Sequence, residues 1–249
     1  MQTKPAIAVA TWNVHRTVGA DGTASPRRIE AAIASDIAPR RPQLLALQEA
    51  DSDDAPHDAL LDMRAIARAT GLRHVHGPAD MRWGAASGGY LGNILFVAPD
   101  LAVTRARIID LPGHCPRAAV MVEVLWDATP LRIVACHLSL SQPLRAVQLR
   151  LIGQVVARGS TMQTVLLGDL NEWRPWGGLA LSRRMSGMEL RGRAVATFPA
   201  RRPLLPLDRV LSHRGTVRDV AALDGSSLRD ASDHRPLFAR VTVAGGAAA

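Results

Sequence analysis

The chain has 249 residues, 47% hydrophobic and 21% charged, which is enough to bury a sizeable core without disulfide or metal staples. Two cysteines are too few for a disulfide scaffold, and no apolar run reaches the length of a membrane span. The formal charge of +8 suits a polyanionic partner, but it is nearly all arginine, Lys4 being the only lysine, and the arginine pairs are scattered without interleaved aromatics.

In chain order, Ala6 to Asn13 is β-rich and reads as a buried first strand rather than a secretion signal, since no cleavage-site pattern follows it. Ser25-Pro26 opens a helix through Ile29, Ile33 and Ile37, closed by Pro39 and Pro42. Gln43 to Gln48 is a second strand that runs directly into Glu49. Helical spacing over Asp58 to Thr70 predicts a helix with Gly71 as its C-cap. Strands follow at Arg73 to His76, Leu91 to Ala98, Val103 to Ile109, Ala118 to Trp126 and Leu131 to His137. A helix over Leu144 to Ala157, a strand over Thr164 to Gly168 and a short helix over Leu179 to Met185 come next. Strands at Asp208 to Ser212, Val217 to Ala221 and Pro236 to Val243 close the chain. Residues 1–244 read as one domain without repeats or a linker, and the tail 245–249, GGAAA, as frayed. Helices early, hairpin-like strands in the middle and strands at the end suit an α/β fold, a four-layer α/β/β/α sandwich of two mixed, largely antiparallel sheets. Cys136, in an apolar run, reads as a buried reduced thiol; a reducing cytoplasmic compartment, no stable membrane insertion and a monomer are expected.

The chemistry-bearing residues collect at strand ends. Asn13, Glu49, His137, Asp169 and Asn171 fall at the C-terminal ends of strands, whereas Asp208, Asp233 and His234 fall at the starts of theirs. If the late strands run antiparallel to the early ones, all of them reach one edge of the sandwich. Carboxylates converging there are electrostatically costly unless a cation joins them. Each piece has a bland alternative. Glu49 can be a strand-terminating acid, GDLN a plain turn, His137 a satisfied polar residue and SDHRP a β-turn. Asp169 and Asn171, two apart, would point to the same side in extended backbone. Joint order and placement carry the functional reading, not any one element.

TWNVHR, LALQE, the Gly-Asn of GGYLGN, ACHLS, LLGDLNEW, ATFP, LDRVL and SDHRP occur colinearly between residue 11 and about 238. This series resembles the successive motifs of the endonuclease/exonuclease/phosphatase family, in particular a bacterial branch of it. GDLN and SDH at this spacing are the specific part; WN or LQE alone would be weak. The resemblance implies a DNase-I-like sandwich and a Mg²⁺- or Mn²⁺-dependent phosphoesterase, most simply a nuclease-like phosphodiesterase, with a lipid or inositol phosphatase as the alternative. It further implies that Glu49 binds the metal with Asn13 and Asp233 in support, and that Asp169 and Asn171 position water and phosphate. His137 would contact the scissile phosphate and Asp208 would orient His234, with Asn93 of the Gly-Asn motif as a substrate contact. Arg117, after Cys115-Pro116, reads either as a phosphate contact or as a surface arginine. A carboxylate-held imidazole is a suitable acid/base near neutral pH.

The chain also departs from particular subfamilies. Abasic-site endonucleases carry Thr-Lys after the LQE and an acid two residues after the WN, where this chain has Ala50-Asp51 and His15. Inositol phosphate 5-phosphatases carry a Trp-Cys before Asp-Arg-Val-Leu, absent before Asp208 here. His15 is not taken as a ligand, and His74 and His76 are read as structural. Asp51, Asp53 and Asp54 read as a solvated turn, and Trp173 and Trp176 as a roof over the loop after Asn171 rather than a base-stacking platform.

Overall fold

Strand β1 (Ala6–Asn13) is buried along nearly its whole length, and the computed structural model, which describes residues 5–243, builds the first of two sheets around it. Helix α1 (Pro26–Ala32) continues through a wide turn over Ile33–Ile37 and a short 3-10 turn over Ala38–Arg40. It leads into β2 (Leu44–Gln48), in which every residue is buried. Helix α2 (Met63–Thr70) starts five residues later than the spacing suggested. Asp62 sits in extended backbone and its carboxylate accepts from the Arg64 and Ala65 amides, which fixes the N-cap there. Gly71 closes the helix at φ +73°, as a left-handed C-cap. The two-residue β3 (Arg73–His74) and β4 (Ile94–Val97) complete this sheet on one side.

The second sheet is built from β5 (Ala102–Leu111), β6 (Arg117–Trp126), β7 (Thr129–His137) and, after helix α3 (Gln142–Ala157), β8 (Gln163–Asp169). Helix α3 begins two residues before the expected Leu144, because Ser141 takes the cap position and Pro143 fits the first turn, where no amide hydrogen is needed. Of the short helix expected over Leu179 to Met185, only α4 (Arg183–Ser186) is helical. The Ser182 side chain caps its start and Gly187 ends it. Then come β9 (Leu190–Arg191), β10 (Asp208–His213), β11 (Thr216–Ala222), helix α5 (Ser226–Ala231) and β12 (Leu237–Thr242). Helix α5, under two turns long, has no counterpart among the expected elements. The GGAAA tail lies outside the described residues.

The sheets run β11-β12-β1-β2-β4-β3 and β5-β6-β7-β8-β10-β9. Their inner faces share one apolar cluster, in which Val9, Leu44 and Val241 of the first meet Val120, Ile133, Val165 and Val210 of the second. Ile29, Ile33, Ile37 and Ile66 cover the outer face of the first sheet. Leu149, Ile152 and Val156 of α3 pack with Val134, Cys136 and Leu166 on the outer face of the second. Four layers result, and central strands buried on both faces read as continuous apolar runs rather than alternating ones. Cys115 and Cys136 are both free thiols, and burial pushes the Cys136 thiol far up. Among the described residues no helix is long and apolar enough to cross a membrane.

Register fixes where the chemistry lies. Strands β1 and β2 are parallel, as are β7 and β8, while β12 runs antiparallel to β1 and β10 antiparallel to β8. Asp208 pairs with Asp169, which in turn pairs with His137. C-terminal ends of the early strands and N-terminal starts of the late ones therefore open on the same edge.

Candidate active site

Asp169 is the centre of this edge, and Gly168 is why β8 can place it there. Gly168 takes φ +136°, and a Cβ at this position would lie 1.9 Å from the Cys136 carbonyl oxygen, inside the β7 backbone. Gly168→Ala should therefore cost about 3 kcal/mol or more in a denaturant melt, from backbone strain and the clash together. A near-neutral result would mean that the strands separate easily at this point.

Around Asp169 Oδ2 stand three nitrogen groups. The Asn13 amide donates to Asp169 Oδ2 at 2.9 Å and to Glu49 Oε1 at 3.1 Å, while Asn13 Oδ1 accepts from the His15 amide. His137 Nε2 lies 3.5 Å from Asp169 Oδ2 and 3.9 Å from Glu49 Oε1, and His234 Nε2 lies 3.8 Å from the same Asp169 oxygen. Burial pushes the His137 imidazole down to about 3, against the pull of Asp169 and helped by the positive charges of Arg117, His234 and Arg16. His137 is thus neutral, and its contacts are not ion pairs; its Nδ1 is buried without a partner.

His234 is the opposite case. Burial alone would lower it, but Asp208, through its charge and a 2.8 Å hydrogen bond to Nδ1, raises it to about 10, with Asp169 and Asp233 adding to the effect. Thr197 Oγ1 donates to the same Asp208 oxygen at 2.6 Å and so fixes the carboxylate that holds the imidazole. The Phe198 ring packs 5.0 Å from the His234 ring. The His234 backbone is pinned as well: Trp12 Nε1 donates to its carbonyl, and its amide donates to Ser232 Oγ, which donates to the Asn13 carbonyl.

Two candidates sit differently from the sequence reading. Asn171 has φ +51°, not extended backbone, so it does not share a side with Asp169 by alternation. Its amide nitrogen side chain donates to the Leu138 carbonyl and its backbone amide to Asp169 Oδ1, which braces the loop carrying the carboxylate. Asp51 is buried rather than part of a solvated turn. It accepts from the Gly88 and Gly89 amides, and burial raises its carboxyl. Asp233 lies at the rim, 3.8 Å from His15 Nδ1. Asn93 is fully buried with its amide donating to the Ala118 carbonyl, and Gly92 before it packs on the Glu49 backbone. Arg117 lines a cavity of about 240 Å³ beside Glu49 that also holds Arg16, Asp53, Trp83 and Cys115. His76 is structural, bonded through both ring nitrogens to Met81 and Leu95 backbone and pushed down to about 4 by burial.

The residue that motif reading passed over is Arg16, although it stands inside TWNVHR. Its guanidinium contacts Glu49 Oε2 at 2.6 Å and bridges to Asp53. His15, Arg16, Thr17 and Glu49 all have positive φ, and such non-glycine conformations in one place accompany functional sites. Thr197, within ATFP, was equally silent. A threonine before Phe-Pro carries no chemistry until β10 brings Asp208 to it.

The donor set fits a hard divalent cation. Two carboxylates, Glu49 and Asp169, face one another across a single amide nitrogen, and Glu49 is the more open of the two. Asp169, Asp208 and His234 also bring ligand atoms within 4.8 Å of one another. There, however, the closest atoms already form the Asp208–His234 hydrogen bond, and Thr197 occupies the same oxygen. The Glu49 side is the better cation position.

A four-layer sandwich with carboxylates, a neutral imidazole and a carboxylate-held imidazolium on one sheet edge defines a phosphoester-hydrolase class of fold and site. Residues 10–234 match the sequence profile of the Endonuclease/Exonuclease/phosphatase family, and the chain belongs to that family. It is 27% identical to the protein YbhP of Escherichia coli K12 over 160 residues, covering 61% of this chain and 63% of YbhP, so the match spans just under two thirds of that relative. Among solved structures it resembles a conserved protein of unknown function from Enterococcus faecalis V583, at TM-score 0.74 and 20% identity, covering 96% of this chain and all of the other. It also resembles the human Nocturnin catalytic domain with bound sulfate, at TM-score 0.70 and 18% identity over 98% of this chain and 97% of the other.

Proposed function

We propose that the chain is a Mg²⁺- or Mn²⁺-dependent phosphodiesterase that hydrolyses its substrate by in-line attack of water. The observation that supports it most is Asp169, placed at the meeting point of Glu49, Asn13, His137 and His234. Glu49 would hold a hard cation, which when bound would supply Lewis-acid polarisation of a phosphoryl oxygen. His234 enters as an imidazolium fixed by Asp208, so its Nε2–H faces the phosphoryl oxygen, where negative charge grows. A protonated His234 has no lone pair to offer, which leaves the Asp169 carboxylate to orient water and accept its proton, while the P–O ester bond opposite breaks and the leaving oxygen takes a proton from solvent. Neutral His137 donates without adding charge, and Arg117 with Arg16 holds the outer phosphoryl oxygens from the neighbouring cavity.

Nucleic-acid phosphodiesters are the substrate proposed on the charge of +8, and the two free thiols suit a reducing, cytoplasmic setting. A lipid or inositol phosphoester is a second reading with a specific observation behind it, the exposed apolar side chains around the mouth of the site. The test is a substrate panel of plasmid, single-stranded DNA, RNA, phosphatidylinositol phosphates and bis(p-nitrophenyl) phosphate. It is run with EDTA and again after Mg²⁺ or Mn²⁺ is restored. Hydrolysis should vanish on chelation and return with metal. Full activity after exhaustive chelation would overturn the metal mechanism.

A further inference from the structure

Most of the large apolar side chains that the described residues leave exposed lie in the loops around the catalytic edge. Leu140 (79% exposed) follows His137, Trp173 (51%), Trp176 (76%) and Leu179 (51%) follow Asp169, and Leu204 (67%) precedes Asp208. These are three separate loops, yet buried charges tie them into one surface. Arg145, almost fully buried, donates to the Ser139 and Leu140 carbonyls and pairs with Glu172. Arg209, also buried, donates to the carbonyls of Glu172 and Arg174 in the second loop and of Pro206 in the third. Glu172, fully buried, takes Arg174 as well. Burying three charged groups is costly unless they are paired and hydrogen-bonded as here. What that network fixes in place is a set of apolar side chains in water.

Arginine outnumbers acid around these side chains. Segments 138–141, 170–179 and 198–206 contain Arg174, Arg201 and Arg202, and their only carboxylate is the buried Glu172. The Arg174 guanidinium lies 5.1 Å from the Trp173 ring centre, and Arg201 meets Asp230 from outside the loops. Tryptophan, leucine and arginine on one rim, with arginine in excess over the exposed acid that Arg201 meets, is the composition of a surface that rests in the headgroup layer of an anionic bilayer. A single-strand nucleic-acid groove stacks bases on aromatic faces, and Leu140, Leu179 and Leu204 have none.

We infer that the loops carrying Leu140, Trp173, Trp176, Leu179 and Leu204 dock the protein on an anionic phospholipid surface, with the catalytic mouth facing the headgroups. The substrate class is then a phosphoester presented at that surface, which is the second of the two substrate readings above. Surface docking itself needs no turnover, so it is measured in EDTA.

The experiment is flotation with vesicles of phosphatidylcholine alone and of equimolar phosphatidylcholine and phosphatidylglycerol. The protein should float with the anionic vesicles and hardly with the neutral ones. Trp176→Ser should weaken partition by about tenfold, and Leu140→Ser with Leu204→Ser by at least as much, as expected for withdrawing buried apolar side chains from the interface. Hydrolysis of bis(p-nitrophenyl) phosphate by these variants should be unchanged, and circular dichroism should show them folded. Absence of flotation, or flotation that the substitutions leave untouched, would overturn the docking surface. Loss of oligonucleotide binding without any vesicle binding would assign the rim to nucleic acid instead. If the protein floats as expected but cleaves no phosphodiester at all, the phosphodiesterase reading fails and the docking surface stands.

Discussion

His234→Ala should lower turnover by roughly 10²- to 10⁴-fold, the range for a positioned acid/base or charge-stabilising group. Nδ1 of this imidazole is 2.8 Å from Asp208, and Nε2 is the atom turned to Asp169 and the open edge. Asp208→Asn should cost less than loss of the ring, because the Phe198 ring and the backbone bonds to Trp12 and Ser232 still hold His234, but in a lower charge state. The double mutant should be little worse than His234→Ala, since two residues acting as one unit are not additive. Losses that simply multiply would show that Asp208 and His234 act independently.

A pH series gives the same pair a second readout. His234 is raised to about 10 in the folded protein, against an ordinary value near 6.5 in an unfolded chain. The pair's contribution to stability is therefore complete below pH about 6.5 and is lost as pH rises through about 10. In EDTA, the urea midpoint of the unsubstituted protein should exceed that of Asp208→Asn most at pH 6, with the gap closing towards pH 10. A gap that widens with pH would mean the ring is neutral in the folded protein.

The second large effect concerns Glu49. Glu49→Gln should raise the Mg²⁺ or Mn²⁺ concentration for half-maximal rate by about 10- to 100-fold or more, and should weaken metal binding by calorimetry in the same direction. Arg16→Ala should move metal affinity the other way, because the guanidinium 2.6 Å from Glu49 Oε2 repels a cation and competes for the oxygen. An unchanged metal requirement in Glu49→Gln would move the ligand role to the Asp169, Asp208 and His234 trio. If both substitutions weaken binding, Arg16 is a support of the carboxylate and not its competitor.

Much of this site was legible in the sequence, because strand ends are marked by local chemistry. An apolar run stopping at Asn13, Glu49, His137 or Asp169 shows where a strand reaches water, and LDRVL and SDHRP show where later strands begin. From those ends alone the sandwich and its reactive edge follow, provided the late strands reverse direction, as β10 and β12 do. The cap at Gly71 and the buried state of Cys136 were local matters too, fixed by left-handed backbone and by an apolar neighbourhood.

What depended on tertiary structure were the partners. Asp62 displaced the expected start of α2 because its carboxylate was free to cap, and Asn171 left extended backbone because the Leu138 carbonyl from another loop took its amide. Asp51 looked like a solvated turn until the Gly88 and Gly89 amides, 37 and 38 residues away in sequence, closed on it. Arg16 could face solvent or Glu49, and Thr197 could bond anywhere; only the packed loops choose. Sequence pattern determined which residues reach the edge, since periodicity and strand ends are local properties. Charge states were decided by the assembled environment. His137 and His234 are the same side chain on the same edge, yet one is neutral and the other charged, because burial dominates at the first and Asp208 overcomes it at the second.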